Sequence, residues 1–185
     1  DLTFDGTNVW VADPSPVDGV DNPMWSTAAG GLACAPVSGS VFNLRFDFEA
    51  SMGGLAYNCR PYSVAYLDDY LFVIHQTMAF ESQQTWVSQI DPAGTVPTNY
   101  MAEAPLSSLG QIRAYNGKLW HNVPHPTYGS GEAAALYVID PSDLTSITPV
   151  RAPDVEFGPT ATAYDPTNNL VWFMISDVDE IHAYD

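Results

Sequence analysis

Short runs rich in Val, Ile, Leu, Tyr, Phe and Trp alternate along the chain with clusters of Gly, Pro, Asn and Asp, roughly every eight to twelve positions. Alternation on that scale predicts many short strands joined by tight turns, and hence an all-β fold. The 13 glycines and 15 prolines interrupt every long window, so no helix is predicted.

The strand pattern repeats. Leu2–Asp13, Ser63–His75, Ile112–His121 and Ala161–Ile175 each contain a strand, a turn rich in Asp, Asn or Gly, and a second apolar strand carrying an aromatic residue. Trp10, Phe72, Trp120 and Trp172 occupy the equivalent position, at spacings of 62, 48 and 52 residues. Asp5-Gly6 and Asn116-Gly117 are suited to the positive φ that a tight hairpin needs. Third strands are predicted at 85–90 and 135–139, each followed by Asp-Pro, and fourth strands at 95–100 and 146–150. Four strands in a unit of roughly 40–50 residues make a β-propeller blade.

The segment Phe4-Asp-Gly-Thr-Asn-Val-Trp-Val-Ala12 resembles the blade motif of the YVTN, NHL and streptogramin-lyase-like β-propellers. Asn116-Gly-Lys-Leu-Trp120 and the two Ile-Asp-Pro segments resemble it too. The resemblance implies an architecture, because such propellers include lactonases, lyases, scaffolds and binding modules. No catalytic constellation of these families matches residue by residue.

The expected fold is therefore a single β-propeller domain over 1–185, with four blades at about 1–50, 60–103, 109–152 and 158–185. The alternative is part of a six- or seven-bladed ring. The first blade is expected to start at an innermost strand. The last is expected to stop after its third strand, Glu180–Tyr184, leaving an edge open to strand addition.

Charge narrows the partners. Five basic residues against 22 acidic ones give a net charge of −17, and the one lysine is Lys118. A polyanionic nucleic acid would be repelled. No run of 18 apolar residues is present, so no membrane insertion is expected. None of the nine asparagines lies in an Asn-x-Ser/Thr sequon. Cys34 and Cys59 lie 25 positions apart without zinc-like spacing. A disulfide between them suits a secreted protein; two unrelated thiols are the alternative.

Loops joining second to third strands share one face of a propeller, and here they hold acids. Asp13, Asp18 and Asp21 lie in the first such loop, and Asp177, Asp179 and Glu180 in the fourth. The second adds Glu81, and the third adds His125 and Glu132. Carboxylates meeting on a rim repel one another, and a Ca²⁺ ion with its six to eight oxygen ligands would relieve that repulsion. Solvated acidic loops are the competing reading. His75, His121, His125 and His182 show no zinc pattern. No Gly-x-Ser-x-Gly elbow or phosphate-binding loop occurs. Trp25, Tyr57 and Tyr128 are candidates for stacking on sugar rings.

The function expected from the sequence is that of a secreted, noncatalytic β-propeller, a structural or binding subunit of an extracellular assembly. Its partners would be further copies of itself or another extracellular protein, and the open blade edge favours filaments. The alternatives are a metal-dependent hydrolase or lyase and a carbohydrate-binding module.

Overall fold

Hairpin turns set the fold, and their left-handed residues fall where the backbone must reverse within two residues. Asn116 and Gly117 have φ of 49° and 69°, and Gly6 has φ of 94°. Both turns were legible as Asn-Gly and Asp-Gly. A third turn uses Asp68 and Asp69, with φ of 49° and 67°, at positions where glycine would meet less steric resistance.

The computed structural model describes residues 1–13, 30–39, 41–47, 59–79, 82–94, 97–102, 110–122, 136–150, 161–175 and 180–184. These form four antiparallel sheets, and the described residues contain no helix. The first sheet holds β1 (Leu2–Phe4), β2 (Asn8–Asp13), β3 (Gly31–Pro36) and β4 (Asn43–Asp47). The second holds β5 (Cys59–Leu67), β6 (Tyr70–Ala79), β7 (Ser82–Ile90) and β8 (Pro97–Ala102). The third holds β9 (Ile112–Tyr115), β10 (Lys118–Asn122), β11 (Leu136–Asp140) and β12 (Asp143–Val150). The fourth has three strands, β13 (Ala161–Asp165), β14 (Leu170–Ile175) and β15 (Glu180–Tyr184). In every sheet each strand pairs only with its neighbours in sequence.

The chain divides into two compact units, Asp1–Ala104 and Pro105–Asp185. In the first, β2 turns Trp10 and Ala12 toward the second sheet, where Val64, Leu71, Val73 and Ile90 meet them around Leu32 and Phe46. Trp10 and Phe46 lie 6.0 Å apart between ring centroids. In the second unit, Trp120 and Leu136 pack on Val171 and Phe173 of the fourth sheet. Tyr115 stacks on Tyr164 at 5.5 Å, and Trp120 meets Tyr184 edge-on at 5.6 Å. Both pairs follow one rule. The earlier sheet contributes the tryptophan of its second strand, and the later sheet contributes the two residues that flank its own aromatic, Phe72 or Trp172.

β3 and β4 complete the first sheet without a predicted strand for either. Gly31-Leu-Ala-Cys-Ala-Pro36 has few large apolar residues, yet all six residues pair with β2. Cys34 lies opposite Trp10, and its small side chain leaves room for the indole beside Phe46. β12 also starts earlier than predicted, at Asp143, whose carboxylate accepts from the Thr145 backbone N–H at 3.0 Å.

Candidate functional site

The main concentration of buried polar side chains in the first unit lies at one end of the second sheet. Arg60, Ser63, His75 and Ser88 are all buried there. Antiparallel register explains the grouping. Pro61 lies opposite His75, and His75 lies opposite Trp86 on β7. Alternation then carries Ser88 to the same face as Trp86 and His75. A shift in register between Pro61 and Ser63 turns the start of β5 out of step. Ser63 Oγ donates to Asp1 Oδ2, which fastens the amino-terminal segment to the second sheet.

A 2.7 Å hydrogen bond joins His75 Nε2 to Ser88 Oγ. The imidazole also stacks on the Trp86 indole, with centroids 6.5 Å apart and planes at 12°. Burial pushes the His75 pKa down to about 3, so the ring is neutral at physiological pH. A serine and a neutral histidine at this distance have the connectivity of a nucleophile and its base. Both side chains are fully buried, however, and an acyl substrate has no approach to Oγ. The pair locks β6 to β7.

At the start of the third sheet, Gln111 and Asn122 close the chain onto itself. The Asn122 backbone N–H donates to the Gln111 carbonyl at 3.1 Å, and the Gln111 N–H donates to Asn122 Oδ1. His121 Nδ1–H donates to the same Gln111 carbonyl at 3.2 Å. Gly110 makes this approach possible, because a Cβ there would lie 1.7 Å from the Asn122 carbonyl oxygen.

Of the acidic residues proposed for calcium, Asp13 and Glu180 lie among the described residues. Asp13 is exposed at the end of β2, opposite Gly31. Glu180 is exposed at the start of β15 and bonds to His182 Nε2 at 2.8 Å. Asp18, Asp21, Asp177 and Asp179 lie outside the described residues, as do Glu81, His125, Glu132, Trp25, Tyr57 and Tyr128. Among the described residues, no three His, Cys, Asp or Glu side chains form a group able to hold a metal ion. Cys34 is half-buried with a free thiol, and the Cys59 side chain lies outside the described residues.

Several other acids have a structural task. Asp5 accepts from the Trp10 indole N–H at 2.6 Å, from the backbone N–H groups of Thr7 and Asn8, and from the Asn8 side chain. Partial burial alone would raise the Asp5 pKa, but these donors together hold it below its ordinary value. Asp91 and Asp140, each following an isoleucine at the end of a third strand, accept from the backbone N–H two residues on, at 2.8 and 2.9 Å. The Ser142 hydroxyl and backbone N–H, with the Lys118 ammonium at 3.2 Å, hold Asp140 at a pKa of about 2. Asp165 is lowered by the Asn168 side chain and by backbone N–H groups of the same turn.

No family model matches the chain, and no curated protein matches it.

Proposed function

We propose that the four sheets are blades of a β-propeller and that the protein is a secreted, noncatalytic subunit of an extracellular assembly. The observation that carries this reading is the use of chemistry-bearing side chains for architecture. The His75–Ser88 pair is sealed inside the second sheet, and Asp5, Asp91, Asp140 and Asp165 are committed to turns. The blade assignment is supported by successive antiparallel sheets with nearest-neighbour strand order and a recurrent aromatic on the second strand. The assembly reading is supported by exposed apolar side chains, among them Val37, Val41 and Phe42 between β3 and β4. A net charge of −17 suits an extracellular medium in which salt screens repulsion between copies.

The test is the mass of the native particle from its natural source, by size exclusion with light scattering. Particles at multiples of the mass of a single chain are expected. A monomer at every concentration would overturn the assembly reading.

A further inference from the structure

The first hairpin of each sheet has an Asp or Asn at its turn, and in three of the four that side chain is held. Asp5 accepts from the Trp10 indole at 2.6 Å, Asp69 from the Tyr66 hydroxyl at 3.0 Å, and Asn169 from the Tyr164 hydroxyl at 2.9 Å. The β9–β10 turn differs. There the Trp120 indole donates to the Tyr115 carbonyl at 3.2 Å, and the Tyr115 hydroxyl donates to the Thr162 carbonyl at 3.4 Å. Among the described residues, nothing hydrogen-bonds the Asn116 side-chain amide or the Gly117 N–H. Both residues are exposed. A Cβ built on Gly117 would meet nothing within 4 Å, so the space around this residue is open.

Of the nine asparagines in the chain, Asn116 alone is followed by glycine. Glycine has no side chain to crowd its own nitrogen when that nitrogen swings toward the preceding side chain. Asn169 has a similar left-handed backbone, with φ of 56° against 49°, but Leu170 follows it. An exposed turn opens locally at little free-energy cost, and the swing needs such an opening. We infer that Asn116 is a self-modification site, which deamidates through a cyclic imide with Gly117 ahead of the other described asparagines. The Gly117 nitrogen gives its proton to solvent base and attacks Asn116 Cγ. The new N–Cγ bond closes the imide, the Cγ–Nδ2 bond breaks, and the leaving nitrogen takes up a proton as ammonia. Water then opens the ring. Attack at Cγ breaks the new bond and leaves aspartate. Attack at the backbone carbonyl carbon of residue 116 breaks the original peptide bond and leaves isoaspartate, with the chain running through the side chain. No atom is oxidised or reduced. Isoaspartate inserts a methylene into a turn of two residues, so the Tyr115–Lys118 pair and the Trp120 bond to the Tyr115 carbonyl lose their spacing. Trp120 packs on Val171 and Phe173, so the change reaches the core of the second unit. The chemistry runs within one hairpin and needs no second copy of the chain.

The test is to age the folded wild-type protein in mildly alkaline buffer and digest it with trypsin. Cleavage after Arg113 and Lys118 releases Ala114-Tyr-Asn-Gly-Lys118, which isolates the site. Mass spectrometry with electron-transfer fragmentation reads aspartate and isoaspartate at position 116. Conversion at Asn116 should outrun conversion at Asn8, Asn168 and Asn169 many-fold, and aged protein should melt at a lower temperature than fresh. The same chain unfolded in urea gives the rate that the Asn-Gly pair alone sets, and the folded rate should lie within several-fold of it. Gly117→Ala, which crowds the attacking nitrogen, should slow conversion several-fold, and an unchanged rate there would overturn the imide route. A folded Asn116 that stays intact while the unfolded chain converts would overturn the site, because the hairpin would then shield the amide. Faster conversion at another described asparagine would overturn it too.

Discussion

Trp10 donates its indole N–H to the carboxylate of Asp5, five residues back across the first hairpin, at 2.6 Å. One carboxylate therefore orders the turn and orients the largest side chain of the first core. In the third sheet the same offset recurs, but there the Tyr115 carbonyl accepts from Trp120 Nε1 at 3.2 Å. Asp5→Ala should destabilise the first unit by about 2 kcal/mol, the range for a hydrogen-bonded charged group. Asp5→Asn, which keeps an acceptor, should cost about half as much. Urea unfolding followed by tryptophan fluorescence reads both. Equal losses in the two variants would show that charge, not acceptor geometry, matters.

The neutral, buried His75 makes stability depend on pH. Its folded pKa lies near 3, below the ordinary value of 6.5. Between those values the unfolded chain binds a proton that the folded chain does not. Stability from this group is therefore fully present above about pH 6.5. It falls by about 1.4 kcal/mol per pH unit as the pH drops toward 3. His75→Gln keeps a hydrogen-bonding partner for Ser88 and removes the titration. The difference between wild type and variant, measured by denaturant unfolding from pH 7 to pH 4, should shrink or reverse as the pH falls. A constant difference would show that His75 does not titrate on unfolding.

Gly110 has no room for a side chain. Gly110→Ala drives a methyl group into the Asn122 carbonyl and should cost about 3 kcal/mol or more, with loss of the Gln111–Asn122 closure. Gly117→Ala meets open space and only the strain of φ at 69°, so its cost should be about 1 kcal/mol. Thermal melting of the two variants side by side checks the order.

Asp69 sits at φ of 67° in a turn where glycine is favoured, and its carboxylate accepts from the Tyr66 hydroxyl at 3.0 Å in an exposed site. That acceptor raises the Tyr66 pKa. Asp69→Gly should bring Tyr66 back toward its ordinary value. It should also stabilise the turn by up to about 1 kcal/mol, since an exposed hydrogen bond offsets little of the relieved strain. Tyrosine absorbance across an alkaline titration, together with urea unfolding, measures both effects.

The sequence made the hairpins legible because Asn116-Gly117 and Asp5-Gly6 carry their own stereochemical requirement. The aromatic of each second strand was legible for a similar reason, since its period survives large changes in loop length. β3 was hidden because its residues are small, and what makes Gly31–Pro36 a strand is the pairing partner β2. His75 and Ser88 could not be paired in advance, because 13 residues separate them and only the β6–β7 register brings them together. Some acids were ambiguous for a different reason. An aspartate that holds a turn and one that awaits a cation look alike until its neighbouring N–H groups are placed, although Ile-Asp-Pro at Asp91 and Asp140 carried a turn signal.

Nearest-neighbour strand order has a consequence for how the chain is made. Every ladder joins segments that leave the ribosome one after another, so no strand waits for a distant partner before it can pair. Each sheet can form as it emerges, and the packing of Trp10 on Leu71 and Val73 becomes available once β6 has been synthesised. Synthesis would then proceed sheet by sheet, with the first tryptophan core closing while the fourth sheet is still untranslated.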